Sequence, residues 1–122
     1  ALGDPESVPA GQYAKEALTN LNVWDSIQDK VSFGTNVTEV LNQVAAASAD
    51  AGIVYATDAA SMADKVEVVA EAPEGSLKTR VIYPVAVVKD SANTEVAANF
   101  VEFLTSDEAM KVFEAYGFSK GE

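Results

Sequence analysis

The sequence contains neither cysteine nor histidine. Thiolate chemistry, imidazole acid–base catalysis and the usual zinc ligand sets are therefore excluded. The lack of cysteine also removes any disulfide pattern that would indicate a compartment. No apolar run reaches the roughly 18 residues that a membrane-spanning helix needs. The chain does not open on a basic, apolar signal sequence, which is expected of a cytoplasmic protein, a processed one or a fragment.

Basic residues are also scarce. Eight Lys and Arg stand against 19 Asp and Glu, and the net charge is −11. Nucleic acids and anionic membrane surfaces both require a basic footprint, so neither is an expected partner. The acidic residues lack the Asp-x-Asp-x-Asp-Gly spacing of a calcium loop, so no metal site is expected. Any anionic ligand must be held by local donors, against the overall field of the protein.

Apolar residues alternate between two periods along the chain. Helical spacing marks 13–21, 37–44, 96–104 and 107–116, the last ended by Gly117. Short β-type runs occupy 31–33, 52–55, 66–70 and 81–88. Strands that alternate with helices predict an α/β domain with a mainly parallel sheet. Because proline cannot donate to a strand ladder, Pro84 places the last run at a sheet edge or outside the sheet.

The segment Gly3–Gly11 is the first candidate for a binding site. Ser7 is a plausible N-cap and Pro9 suits the first helical position. The next amides, those of Ala10 and Gly11, then have no acceptor within the helix. Such a helix start can hold an anion, and it can equally be an ordinary cap.

Two further segments offer donors of the same kind. Asn36, three residues before Glu39, resembles a capping box and leaves the amide of Val37 free. Tyr55 ends an apolar run, so its hydroxyl is a third candidate donor; the alternative is a core tyrosine. The first two helix starts each follow an apparent strand, and this places them at the end of a parallel sheet where such folds bind ligands.

A small phosphoryl-transfer enzyme is the competing enzymatic interpretation. It would need an acidic cluster at strand ends and a nearby lysine. Asp4, Asp58 and Lys89 are the available residues, but their spacing does not form a recognisable catalytic set. We therefore expect a binding protein and not an enzyme.

Taken in order, these segments resemble a known family. Residues 3–18 are similar to the start of the second, C-terminal lobe of periplasmic molybdate-binding proteins, the solute receptors of ABC importers. The match continues through Asn36–Val37, Gly52–Tyr55, Tyr83–Val88 and Phe113–Phe118. The resemblance covers essentially the whole chain.

The resemblance implies a fold and a ligand. The fold is one three-layer lobe of a type II periplasmic binding protein, a mainly parallel sheet flanked by helices. Residues 1–122 would form the oxyanion-binding lobe, with the partner lobe outside this chain. The ligand would be molybdate or tungstate, without a cofactor. By position, the donors would be the amides of Ala10 and Val37 and the hydroxyl of Tyr55.

The resemblance also implies partners and a location. The parent protein would be periplasmic or extracytoplasmic, either free or lipid-anchored, and would deliver its ligand to a membrane permease. The segment Tyr83–Val88 would lead the chain back towards the partner lobe, so we expect exposed apolar surface here, and self-association through it. The alternative is an isolated or engineered structural lobe that retains no ligand binding.

Overall fold

The computed structural model describes residues 1–121, and these residues divide into two compact units. The first unit comprises Ala1–Arg80 and the second begins at Val81. The division falls just before Tyr83–Val88, the segment that the sequence predicted to leave the lobe. The two units are described separately below.

A small parallel sheet lies at the centre of the first unit. Strand β1 (Leu2–Gly3) pairs in parallel with β2 (Phe33–Gly34). On the other side of β1, the Ala1 amine donates to the Ala51 carbonyl at 2.6 Å, and the Ile53 amide donates back to the Ala1 carbonyl at 3.3 Å. This exchange has the geometry of parallel pairing. The segment 51–53 therefore runs beside β1, with the same direction as both strands.

Each of these extended segments leads into a helix. The helices of the first unit are α1 (Pro9–Asn20), α2 (Trp24–Ile27), α3 (Val37–Ala45) and α4 (Ala56–Ala60), with a short 3₁₀ helix at Gln28–Lys30 between α2 and β2. Helix α1 packs on β1, and α3 packs on both strands. The predicted α/β class and parallel sheet are confirmed.

The core of the first unit is built from small and branched residues. Helix α1 lies against β1 so closely that a Cβ added to Gly11 would be 2.5 Å from the carbonyl carbon of Gly3. Only glycine permits this approach. Val40 of α3 is fully buried at 0% exposure, and it lies against Gly34 and Gly52. The core thus fixes the starts of α1 and α3 relative to the sheet.

The second unit contains two helices, α5 (Thr94–Leu104) and α6 (Asp107–Ala115). Ser106 caps α6 by accepting from the Ala109 amide at 3.2 Å. Gly117, at φ +88°, ends it: its amide donates to Glu114 and the Phe118 amide donates to Phe113, both at 3.0 Å. This pair of bonds is a Schellman motif, and Gly117 ends the helix as the sequence predicted.

Three of the four predicted strands do not form. The segment 52–55 contributes only the Ile53 bond to Ala1 and belongs to neither strand of the sheet. Val66–Ala70 and Val81–Val88 are neither helix nor strand, and most of their residues are exposed. A strand is stabilised by the ladder with its neighbours, and among residues 1–121 neither segment has a paired edge. None of the helices in the described part of the chain is long and apolar enough to cross a membrane.

The expected exposed apolar surface is present. In the second unit it comprises Ile82, Tyr83, Val85, Val88, Val96, Phe100, Phe103, Val112 and Tyr116, each at least 47% exposed. The aromatic residues Phe100, Phe103 and Tyr116 are thus exposed and not core residues of this unit. Apolar area on this scale is unusual for a monomeric surface.

Candidate functional site

The candidate site lies at one edge of the parallel sheet. Because β1, β2 and the segment 51–53 run in the same direction, their carboxyl ends meet at the same edge. The helices that follow them, α1, α3 and α4, begin shortly after those ends. The sequence predicted this arrangement for the first two helices, and the structure adds the third.

The amides of the loop before α1 donate to Asp4 within the same loop, and they do not occupy the start of the helix. The Asp4 side chain accepts from the Glu6 amide at 2.9 Å, and the Asp4 carbonyl accepts from Ser7 and Val8 at 3.1 and 2.8 Å. Pro9, the first helical residue, has no N–H. Within residues 1–121 the amide of Ala10 has no acceptor, as predicted from the sequence.

The predicted N-cap of α1 is wrong by one residue. The cap is Val8, in an extended conformation at φ −112° and ψ 119°, and no side chain caps the helix. Ser7 instead lies in the turn that Asp4 organises. Val8 is buried at 5% exposure and packs against Gly3, so its apolar contact fixes where the helix begins.

The start of α3 agrees with the sequence more closely. The Asn36 side chain accepts from the Glu39 amide at 2.8 Å, which makes it the N-cap. The Glu39 carboxylate reaches back to the amide and hydroxyl of Thr35, both at 2.7 Å, and not to Asn36 as in a standard capping box. Within the described chain, the amides of Val37 and Thr38 have no acceptor. Sequence reasoning had identified Val37 and missed Thr38.

Tyr55 lies at the start of the third helix. It is the N-cap of α4, and its carbonyl accepts from Asp58 and Ala59 at 3.0 and 3.1 Å. Its side chain is half-buried, and the run before it is more exposed than the sequence predicted, with Ile53 38% exposed. One carboxylate oxygen of Asp58, Oδ2, is buried and has no partner within residues 1–121.

The residues around the site are neutral or acidic. Asp4, Glu39 and Asp58 all lie within the first turns or their preceding loops. The amide and hydroxyl of Thr35 lower the pKa of the Glu39 carboxyl, which therefore stays ionised near neutral pH. An anion at this edge must be held by backbone dipoles and hydroxyls, since none of the eight basic residues falls in the loops that begin α1, α3 and α4.

The three candidate donor residues are not strongly exposed: Ala10 is buried, and Val37 and Tyr55 are half-buried. A shallow depression of about 590 Å³ lies along α3, and none of Ala10, Val37 and Tyr55 lines it. Its lining is polar: Asn36, Thr38, Glu39, Asn42, Gln43 and Ser48. In the described part of the chain no group of three or more Asp and Glu residues could hold a metal ion. The residues of the competing phosphoryl-transfer interpretation are divided between the units, with Asp4 and Asp58 in the first and Lys89 in the second.

Comparison with known proteins decides the family. Residues 1–119 match the family model of bacterial extracellular solute-binding proteins. The chain belongs to this family. This match and the relatives named below confirm the resemblance noted in the sequence.

Individual relatives agree with this placement. The solute-binding protein is 47% identical over 119 residues to the molybdate-binding protein ModA of Haemophilus influenzae and 45% identical over 119 residues to ModA of Escherichia coli. These alignments take in 98% of the chain but 46% and 45% of the two relatives. The chain therefore spans under half the length of these relatives.

A solved structure shows the same fold. It is the substrate binding domain of a proposed molybdenum ABC transporter from Clostridium difficile, with a TM-score of 0.83 and 45% identity. The superposition covers 99% of this solute-binding protein and 52% of that chain.

Proposed function

We propose that the chain is the substrate-binding lobe of an ABC importer receptor for molybdate or tungstate. In this proposal the oxyanion is held by the amides of Ala10 and Val37 and by the hydroxyl of Tyr55. The observation that carries the proposal is the common sheet edge at which these three residues begin α1, α3 and α4. The names of the ModA relatives supply the ligand.

Neutral donors explain how a protein of net charge −11 could bind an anion. The unsatisfied amides of a helix start carry a partial positive charge that acts over about one helical turn. Carboxylates farther away than a Debye length, about 8 Å at physiological ionic strength, are largely screened, so the nearby amides of α1 and α3 can act against the net charge of the chain. A tetrahedral oxyanion without protons needs donors, and the free amides of Ala10 and Val37 are such donors.

The parent protein, in this proposal, is extracytoplasmic and passes its ligand to a membrane permease. A second lobe would close over the oxyanion and exclude water. Without that lobe, the exposed apolar surface of the second unit favours self-association of this chain. Sedimentation at rising concentration tests this part; a monomer throughout would contradict it.

The donor role of Val37 can be tested without disturbing the fold. Val37 is the first residue of α3, where proline is well tolerated, and Asn36 before it is already extended at φ −161° and ψ 170°. Val37→Pro therefore removes one N–H and little else. The matched control is Val37→Ala, which shortens the same side chain and keeps the amide.

Hydrogen bonds to charged groups contribute about 1.5–3 kcal/mol. Val37→Pro should therefore weaken molybdate binding by about tenfold or more, and Tyr55→Phe should weaken it in the same sense. Val37→Ala should bind as the unchanged protein does. Equal affinity of Val37→Pro and Val37→Ala would remove the Val37 amide from the site, and unchanged binding by Tyr55→Phe would remove the tyrosine.

A further inference from the structure

The chain that leaves the first unit is held at a single buried point. Residues 67–75 are all exposed, and residues 78–80, which end the unit, are exposed as well. Between them Ser76 is only 5% exposed, and it is the one buried polar residue of the described chain. A polar residue is buried at low cost only when its hydrogen bonds are satisfied, so its partners show what holds it.

Ser76 is the last residue of a tight turn that begins at Pro73. Its amide donates to the Pro73 carbonyl at 3.0 Å, and its hydroxyl donates to the same carbonyl at 2.6 Å. Gly75, at φ +79°, occupies the third position of this turn, as a type II turn requires. The turn therefore presents the Ser76 carbonyl in a fixed direction.

Two side chains of α1 bind this segment. The Asn20 amide group donates to the Ser76 carbonyl at 2.8 Å, and the Lys78 amide donates to the Glu16 carboxylate at 2.7 Å. Glu16 and Asn20 are four residues apart on one helix face, about 5–6 Å between Cβ atoms. Ser76 and Lys78 are two residues apart in a bent segment, so two neighbouring positions of this helix face hold two nearby points of the segment.

We propose that these four residues form a clasp that fixes the exit of the chain from the first unit. Glu16 and Asn20 hold Ser76 and Lys78 against the C-terminal half of α1, and bending of the connection to the second unit is confined to residues after Lys78. Helix α1 is continuous from Pro9 to Asn20, so the helix that presents Ala10 at its start also anchors the connection near its end.

The clasp is tested by amide hydrogen exchange and by trypsin, both without any anion, so the result does not depend on the proposed function. The variants are Glu16→Ala, which removes the acceptor, Glu16→Gln, which keeps an acceptor oxygen, and Asn20→Ala. The matched control is Thr19→Ala; the Thr19 hydroxyl bonds only to the Lys15 carbonyl within α1.

Loss of one bond of about 1 kcal/mol corresponds to roughly a fivefold change in local opening. The Lys78 amide should exchange about fivefold faster in Glu16→Ala, at the original rate in Glu16→Gln, and faster in Asn20→Ala. Trypsin should cut after Lys78 and after Arg80 faster in Glu16→Ala than in the unchanged protein.

Two results would overturn the clasp. One is an unprotected Lys78 amide in the unchanged protein. The other is a Thr19→Ala variant whose exchange and cleavage change as much as those of Glu16→Ala, since that would reflect general loosening of α1.

Discussion

The close contact between α1 and β1 makes Gly11→Ala a severe test of the fold. A Cβ at position 11 would lie 2.5 Å from the carbonyl carbon of Gly3 and 2.9 Å from that of Asp4. These neighbours are backbone atoms of the strand and its following turn, so no side-chain rotation relieves the contact. Either α1 moves away from β1 or the strand shifts.

The size of the effect follows from two opposing contributions. In an unpacked helix, glycine to alanine would stabilise by about 1 kcal/mol. Forcing an extra methyl group into a packed interior costs about 1–3 kcal/mol, and more when backbone must move. Because only backbone can move here, we take the upper end of that cost and expect a net loss of about 2 kcal/mol in the free energy of unfolding. The start of α1 would also shift, so the Ala10 amide would leave its position.

Urea unfolding followed by circular dichroism measures this loss as a lower midpoint at unchanged slope. Gly121→Ala is the matched control, because a Cβ there would have no atom within 4 Å. A Gly11→Ala protein as stable as the Gly121→Ala protein would refute the packing of α1 on β1 described above.

Two other predictions concern the start of α3. Asn36→Ala removes the side-chain cap and should cost about 1 kcal/mol of unfolding free energy, whereas Asn36→Asp should keep it; equal midpoints for all three proteins would contradict the cap. The pKa of Glu39 is lowered below its ordinary 4.5 in the folded state, so its contribution to stability is complete above that pH and is lost as the pH falls through the lower value. The urea midpoint should therefore fall less steeply with decreasing pH in Glu39→Gln than in the unchanged protein. An identical pH dependence of the two proteins would contradict the Thr35–Glu39 contact.

Helix ends that depend on neighbouring residues could be predicted from the sequence. Asn36 caps α3 and Gly117 ends α6 because capping depends on side chains and dihedral angles within a few residues. The N-cap of α1 is Val8 and not the predicted Ser7, because burial of Val8 against Gly3, a tertiary contact, fixes the residue before the helix. The Ala10 amide was still identified, since Pro9 is the first helical residue in both descriptions.

Non-local features could not be predicted from the pattern. Val81–Val88 has the composition of a strand, but composition does not supply the neighbouring strand that a ladder needs. The clasp joins Glu16 to Lys78 across 62 positions, and neither residue is distinctive by itself. Gly11 was recognised as a small residue near a helix start, whereas its contact with Gly3 depends on how α1 crosses β1.

The central claim is that this chain holds enough of a donor site to bind a tetrahedral oxyanion. Calorimetric titration of the chain with molybdate tests it most directly, with sulfate and phosphate titrated in parallel. We expect saturable heat with molybdate, weaker binding of sulfate and phosphate, and weaker molybdate binding by Val37→Pro. No heat with any of the three anions would contradict it, and the chain would then be a structural lobe that retains no binding.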